Sequence, residues 1–134
     1  MSGIIYLACP YSDHSKDVRE ARFHAANEAA AHLIGQGKIV FSPISMTHPI
    51  DVVMAAEHET MGSDFWVTFD EAFMVFCDEM IILALPGWTQ SAGIRREIEF
   101  FRSALKPVKL MSAAQQSYLE LEALEDQHKQ VEAD

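Results

Sequence analysis

Residues 80–101, MIILALPGWTQSAGIRREIEFF, carry the pattern on which the fold prediction rests. The first six residues are all apolar, as expected for a strand that is buried on both faces of a parallel sheet. Pro86 and Gly87 then end the strand, and Ser91 is suited to cap a helix that runs to about Leu105. A buried strand, a turn and an amphipathic helix in this order form the repeating unit of an α/β protein.

The same unit recurs along the rest of the chain. Apolar strands are predicted at 4–9 and 38–41, and a shorter edge strand at 106–110. Helices are predicted after the first strand, up to about Ile34, and over 65–77. We therefore predict an α/β fold, a flavodoxin- or Rossmann-like three-layer sandwich with a four- to five-stranded parallel sheet. In such a fold, ligands bind beyond the carboxyl ends of the strands.

Two segments lack a regular pattern. Residues 42–50, SPISMTHPI, contain two prolines and are predicted to be irregular, with a short helix from Asp51 to about Thr60. Residues 113–134 are predicted to form a C-terminal helix that continues as an acidic tail. The sequence contains no internal repeat and no linker, so we predict a single domain over 1–134.

Composition and charge limit the classes of function. The chain has 134 residues, of which 49% are hydrophobic, and a formal net charge of −10. An acidic protein is poorly suited to bind DNA or RNA, although a helix N-terminus can still bind one phosphate. The sequence has no signal-peptide pattern, no long apolar span and only two cysteines. We expect a soluble cytoplasmic protein without a nucleic-acid polymer or a membrane as partner.

Common cofactor and metal motifs are absent from the sequence. There is no GxGxxG or GxxxxGK[ST] motif for a nucleotide cofactor and no GxSxG nucleophile elbow. His48 and His58 have no histidine or cysteine partner at the spacing typical of a zinc site. We therefore predict neither a metal nor a cofactor.

Two carboxylates lie beside the apolar faces of predicted helices. Glu97 is three residues after Ile94 and four before Phe101. Its side chain is expected to lean back over Gly93, toward the ligand-binding edge of the sheet. Asp70 similarly borders the aromatic face of the preceding helix. Helical periodicity alone favours a boundary glutamate and a partly exposed aspartate, both reaching solvent.

Two further residues have structural explanations beside their functional ones. A strand tyrosine such as Tyr6 usually buries its ring and finds one hydrogen-bond partner, and a functional role would need a carboxylate nearby. Capping alone explains Ser91, although the amides of residues 91–93 would also form an anion site.

Four segments in order resemble the nucleoside 2-deoxyribosyltransferase superfamily, over about residues 3–111. They are IIYLACPYS, FDEAFMVFCDEMIIL, the helix start with Ser91, Gly93 and Glu97, and KPVKL. The segments YLACPYS, FSPISMTHPI and LPGWTQSAGIRREIEFF resemble most closely a small bacterial and phage branch of deoxyribosyltransferase-like proteins.

This resemblance implies a two-step, retaining mechanism. Glu97 would be the nucleophile that attacks the anomeric carbon of a (deoxy)ribosyl group, and Asp70 would contact the base and help to protonate it. Tyr6 would orient the Glu97 carboxylate. Water or a second base would then release the sugar from the enzyme. The implied activity is N-glycosidic bond hydrolysis or, as the alternative, base exchange.

One departure from the family pattern favours a nucleotide substrate. The nucleoside transferases commonly have an aspartate six positions before the catalytic glutamate, where this chain has Ser91. The related nucleoside 5′-monophosphate N-glycosidases have a serine there for the 5′-phosphate. Gly93 would leave space beside it. Tyr11, Ser12 and Arg19 are further candidates for contacts to the phosphate or the sugar. His48 and Trp88 are candidates for the walls around the base. Trp88 is equally suited to the rim of the site or to a subunit contact.

Several alternatives stay open at this stage. A non-catalytic nucleotide-binding module would need no nucleophile, and PGWTQSAGIRRE only partly matches the motif of lysine-decarboxylase-like phosphoribohydrolases. Arg95 and Arg96 could raise phosphate affinity, pair with acidic residues or face a neighbouring subunit. The resemblance and the Phe-rich helices predict a homo-oligomer, a dimer or tetramer. The base, the sugar and the acceptor are not specified.

Overall fold

The computed structural model describes residues 3–57, 63–112 and 117–119. The strands are β1 (Ile4–Ala8), β2 (Ile39–Phe41), β3 (Glu79–Leu83), β4 (Val108–Ser112) and β5 (Ser117–Leu119). The helices are α1 (Lys16–Gly35), α2 (Pro43–Glu57), α3 (Ser63–Met74) and α4 (Ala92–Ser103), with one 3-10 turn at Trp88–Gln90. Within these residues, no helix is both long and apolar enough to cross a membrane.

The sheet has the strand order β2-β1-β3-β4-β5. The first four strands are parallel, and β5 is antiparallel to β4. The chain adds β2 on one side of β1 and β3 on the other, so the strand order reverses at β1. The reversal matters because ligand sites of open α/β sheets lie at such points, beyond the carboxyl ends of the strands.

The two faces of the sheet have separate cores, which confirms the predicted three-layer sandwich. Alternate side chains of a strand point to opposite faces. On one face, α1 packs its small and aliphatic residues against β1 and β3; this core includes Ile5, Leu7, Ala26, Ala29, Leu33, Ile81 and Leu83. On the other face, α3 and α4 cover a core that includes Tyr6, Met74, Met80, Ile82, Ile94, Ile98, Phe101 and Leu110.

The prediction that residues 42–50 are irregular is wrong, because α2 begins at Pro43. A proline at the first position of a helix loses no helical hydrogen bond. Pro49 lies inside α2 and does remove one. The helix nevertheless buries four residues at helical spacing, and this packing offsets the loss: Ile44, Thr47, His48 and Asp51. The short helix predicted from Asp51 is the second half of α2, and residues 58–62 lie outside the described part.

Two other predicted ends differ from the structure. The C-terminal helix predicted from about 113 is wrong at 117–119, where the backbone pairs with the open edge of β4 as a strand. The rest of that segment lies outside the described residues. Leu105, predicted as the approximate end of the helix, lies beyond α4, with φ 60° and 93% exposure.

Candidate active site

A pocket of about 280 Å³ opens beyond the carboxyl ends of β1 and β3. The loop after β1, the start of α2 and the turn between β3 and α4 line it, together with side chains from α1, α3 and α4. Its position agrees with the ligand site expected where the strand order reverses. The lining residues are Cys9, Pro10, Tyr11, Ser12, Arg22, Pro43, Ile44, Thr47, Trp66, Val67, Asp70, Gly87, Gln90, Ser91, Gly93, Ile94 and Glu97.

Glu97 enters this pocket from the buried face of α4. Ser91 caps the helix, because its Oγ accepts a hydrogen bond of 3.2 Å from the Ile94 amide. Glu97 lies in the second turn of α4, beside the buried residues Ile94 and Ile98, with only 6% of its surface exposed. The interpretation of Glu97 as a boundary residue that reaches bulk solvent is therefore wrong.

Tyr6 contacts Glu97 from the sheet. Its side chain projects from β1 toward α3 and α4, is fully buried, and packs 5.6 Å from the Phe101 ring and 6.0 Å from the Phe41 ring. The Tyr6 hydroxyl donates a hydrogen bond to Oε2 of Glu97. The carboxylate that a functional role for Tyr6 requires is thus present.

Asp70 lies on α3 and faces the same pocket. It is 6% exposed, so the expectation of a partly exposed aspartate is also wrong. Among the residues that the structure describes, Oδ1 of Asp70 has no hydrogen-bond partner. Because an unpaired buried oxygen is costly, Asp70 is suited to accept from, or share a proton with, a bound ligand.

Burial changes the protonation of all three groups. It raises the pKa of Glu97 to about 8, an effect that the Tyr6 hydroxyl and Arg96 oppose and the charge of Asp70 reinforces. Burial also raises the pKa of Asp70 to about 7, with an opposing effect from Tyr6. Burial, then the two carboxylates, raises the pKa of Tyr6 well above its usual value. Near neutral pH the two carboxyl groups can therefore serve as one acid and one base.

The start of α4 forms the polar end of the pocket. The first amides of a helix have no partner within the helix. Here the Ile94 and Arg95 amides bond to Ser91, and within the described residues no partner is found for the amides of Ala92 and Gly93. A Cβ on Gly93 would lie 3.4 Å from Cγ2 of Val67 and 3.8 Å from Oγ of Ser91. Because these are ordinary contacts, packing does not require glycine here, and its effect is to leave pocket space open.

Tyr11 lines the pocket and is held from behind by His48. The hydroxyl of Tyr11 lies 2.7 Å from Nδ1 of His48, and Nε2 of His48 lies 2.7 Å from a carboxylate oxygen of Glu20. The His48 ring also stacks on Phe23 at 4.4 Å. The structure places His48 behind Tyr11 and not in the pocket wall, so its contacts are those of a residue that positions Tyr11.

Asp51 and Trp66 extend this hydrogen-bonded chain, and the sequence interpretation missed both. Oδ2 of Asp51 accepts from the Tyr11 hydroxyl at 3.4 Å, and Oδ1 accepts from Nε1 of Trp66 at 3.2 Å. The signal in the sequence was the helical spacing of Asp51 from His48 and Thr47, which the two prolines of the segment obscured.

Of the remaining residues that were predicted to bind the substrate, one lines the pocket and two do not. Ser12 lines the pocket, whereas Trp88 packs at the edge of the core and does not line it. Arg19 donates to the carbonyl oxygen of Asp13 and lines a second pocket of about 310 Å³. Arg22, one helical turn further along α1, lines the main pocket and was missed.

Arg95 and Arg96 lie outside the pocket. Arg96 pairs with Asp64 at 3.0 Å and with Glu71 at 3.2 Å, so it joins α4 to α3. Arg95 donates to the carbonyl oxygen of Thr89 at 3.1 Å. Of the three explanations offered for this pair, the acidic partners account for Arg96.

No group of three or more metal-ligating side chains occurs within the described part of the chain. Comparison with known protein families matches residues 3–113 to the family described as Domain of unknown function (DUF1937). A comparison with curated proteins gives no match.

Proposed function

The chain belongs to the DUF1937 family, and from its pocket we propose that it is an enzyme that cleaves the N-glycosidic bond of a (deoxy)nucleoside 5′-monophosphate. The observation that carries this proposal is the buried cluster of Tyr6, Asp70 and Glu97 in one pocket. Its residues match those that the deoxyribosyltransferase resemblance assigns to catalysis.

In the first step, a carboxylate oxygen of Glu97 forms a bond to C1′ of the sugar while the bond from C1′ to the base nitrogen breaks. The base leaves with the electron pair and takes a proton from the Asp70 carboxyl. In the second step, water attacks C1′, the ester bond to Glu97 breaks, and the water proton passes to the Asp70 carboxylate. Two displacements at one carbon retain its configuration.

The roles require a proton on Asp70 and a charge on Glu97, whereas pKa values of about 7 and about 8 place a single proton more often on Glu97, so the reactive form is the less populated of the two. Asp70, with a pKa raised by burial to about 7, retains a proton in part of the molecules at neutral pH. Glu97 must be ionised to attack, and the hydrogen bond from Tyr6 favours its carboxylate form against the effect of burial. The same hydrogen bond fixes which oxygen of Glu97 remains free to face the pocket.

A purely binding role is the weaker proposal. Burying two carboxyl groups opposes folding unless both are neutral or paired, and one oxygen of Asp70 has no described partner. A binding module needs no nucleophile, whereas carboxyl groups with pKa values raised by burial are typical of catalytic acids and bases. Base exchange differs only in the second step, in which another base replaces water as the acceptor.

The experiment is a panel of nucleosides and their 5′-monophosphates, incubated with the protein and analysed for free base by chromatography. We expect base release from at least one 5′-monophosphate by the wild type and none by Glu97→Ala. Glu99→Ala is the matched control, because Glu99 lies on the same helix but is exposed. Adding a second free base tests exchange, which would yield a new nucleotide.

The outcomes separate the candidates. Base release that persists in Glu97→Ala, with circular dichroism showing an intact fold, contradicts the proposed nucleophile. Saturable binding without turnover by the wild type would favour the binding module. Release from nucleosides alone would contradict the preference for a 5′-phosphate.

The exposed aromatic surface supports the proposal of a homo-oligomer. Phe65 on α3 is 44% exposed, and Phe76, just after α3, is 72% exposed. Covering them with a second copy would remove apolar surface from water. We expect static light scattering to give a multiple of the 15.0 kDa chain mass, and a mass of one chain would contradict this.

A further inference from the structure

We propose that Arg22 binds the 5′-phosphate of the substrate and thereby determines the preference for a nucleotide over a nucleoside. The proposal rests on the function proposed above and deepens it, because it names the side chain that recognises the charged part of the substrate.

The guanidinium of Arg22 is held at the pocket wall. Its Nη1 donates to the carbonyl oxygens of Ser12, at 3.2 Å, and Tyr11, at 3.4 Å, in the loop after β1. The Sγ–H of Cys9 in turn points to the Arg22 carbonyl oxygen at 3.8 Å. Anchoring one nitrogen in this way fixes the plane of the guanidinium, so that its other donors are already oriented for an anion.

Gly87 lets the guanidinium lie against the turn that leads to α4. Gly87 has φ +92°, and a Cβ there would lie 3.3 Å from Nη2 of Arg22. Gly87 therefore has no side chain to displace the Arg22 guanidinium from this turn, which continues to the Ser91 hydroxyl and the first amides of α4. A guanidinium and a helix N-terminus that line one pocket attract the same negatively charged group.

The charges in the pocket lead to the same conclusion. In the described part of the chain, Arg22 has no carboxylate partner, whereas Arg96 has two. What distinguishes Arg22 from the other arginines is that it lines the same pocket as Ser91 and Gly93 at the start of α4, where an anionic ligand would supply the opposite charge. Asp70, with its unpartnered Oδ1, offers an acceptor to a different group of that ligand. A nucleoside monophosphate carries both groups that these two residues can bind, an anionic group for Arg22 and a hydrogen-bond donor on the base for Asp70.

The test compares Arg22→Gln with Arg19→Gln, a control that removes the same charge one turn earlier on α1, from a residue outside the pocket. The quantity measured is the ratio of kcat/KM for a nucleoside 5′-monophosphate to kcat/KM for the same nucleoside. We expect Arg22→Gln to lower this ratio about 100-fold, the size typical of lost charge-assisted hydrogen bonds. Arg22→Lys keeps the charge but lacks the paired N–H donors of the guanidinium, so it should give an intermediate ratio. Arg19→Gln should give a ratio near that of the wild type.

A binding measurement makes the result independent of turnover. Calorimetry with the same nucleoside and its 5′-monophosphate should show tighter binding of the monophosphate by the wild type, and this difference should disappear in folded Arg22→Gln. If the wild type binds the monophosphate through Arg22 but releases no base, the proposed activity fails and the role of Arg22 stands. If base is released and the preference is unchanged in Arg22→Gln, the role of Arg22 fails alone. If the wild type does not bind the monophosphate more tightly than the nucleoside, the proposed role of Arg22 is also wrong.

Discussion

Tyr6 and the surrounding core act on the Glu97 carboxyl group in opposite directions. Burial disfavours the charged form and raises the pKa of Glu97, whereas the hydrogen bond from the Tyr6 hydroxyl stabilises the carboxylate. A nucleophile has to be ionised before it can attack a sugar carbon. The single hydroxyl of Tyr6 should therefore set the fraction of molecules that are active at a given pH.

Replacing Tyr6 with phenylalanine tests this coupling. Without the hydroxyl, the pKa of Glu97 should rise further, so the acidic limb of kcat/KM against pH should move to higher pH. A hydrogen bond of about 1 kcal/mol corresponds to a displacement of about 0.7 pH unit. The control is Phe41→Leu, which removes a ring packed on Tyr6 but leaves its hydroxyl in place. An acidic limb at the same pH in Tyr6→Phe and the wild type would contradict the coupling.

The sequence allowed individual residues of the site to be proposed. It did not show how deeply these residues are buried or toward which part of the fold their side chains point. The burial of Glu97 depends on α3 packing over α4, which is a tertiary effect that helical periodicity does not contain. Arg19 and Arg22 are one turn apart on α1, and both follow the first strand closely enough to be candidates. Only the path of the loop after β1, whose carbonyl oxygens bind Arg22, decides which one lines the pocket.

Element ends follow local rules that the sequence only partly indicates. Ser91 was identified as a cap from its type and position, and it caps α4. The C-terminal end of α4 was predicted at about Leu105, which fits the apolar spacing of the helix, but the helix ends at Ser103. In the structure the amides of Leu105 and Lys106 bond back to the carbonyl oxygens of Arg102 and Phe101 in a Schellman motif. Glycine usually occupies the left-handed position of this motif, which is why a leucine there was not recognised as a helix end.

Leu105→Gly should consequently stabilise the protein. Leu105 has φ 60°, a conformation that strains a side chain but not glycine, and its 93% exposure means that little burial is lost. We expect the free energy of unfolding in urea to increase by about 0.5–1 kcal/mol. Ala104→Gly is the control, because Ala104 has φ −86° and gains no such relief. A lower unfolding free energy for Leu105→Gly than for the wild type would contradict this explanation.

At the scale of the whole molecule, the strand–helix alternation determined the sheet and its layers, because apolar strands must be covered on both faces. The strand order and the pairing of β5 are not contained in that pattern, since they depend on which sheet edge each later strand joins. The same layering brings the two carboxyl groups of the site, Asp70 and Glu97, into one buried volume between α3, α4 and β1. Their burial has a consequence for the stability of the fold.

The stability of the protein should fall as pH rises across the neutral range. In the unfolded chain Asp70 and Glu97 lose their protons near their ordinary pKa values of 3.8 and 4.5, whereas burial raises the pKa in the folded state to about 7 and about 8. Between these limits the folded state binds more protons than the unfolded state. The stability that results from this difference in proton binding is therefore fully present below about pH 4, and it is lost as pH rises through the folded-state pKa values.

Replacing Glu97 with glutamine measures how much Glu97 contributes to the pH dependence of stability. Glutamine stays neutral at every pH, so the midpoint temperature of unfolding should fall less between pH 5 and pH 8 in Glu97→Gln than in the wild type. Other groups also contribute to the pH dependence of stability; Glu20, whose pKa is lowered by its hydrogen bond to His48, acts in the opposite direction, but below its ordinary pKa of 4.5 and so outside this range. Comparing two proteins that differ only at Glu97 removes those contributions from the difference. Glu99→Gln, on the exposed side of α4, should follow the wild type, and parallel curves for Glu97→Gln and the wild type would contradict a buried carboxyl group with a raised pKa.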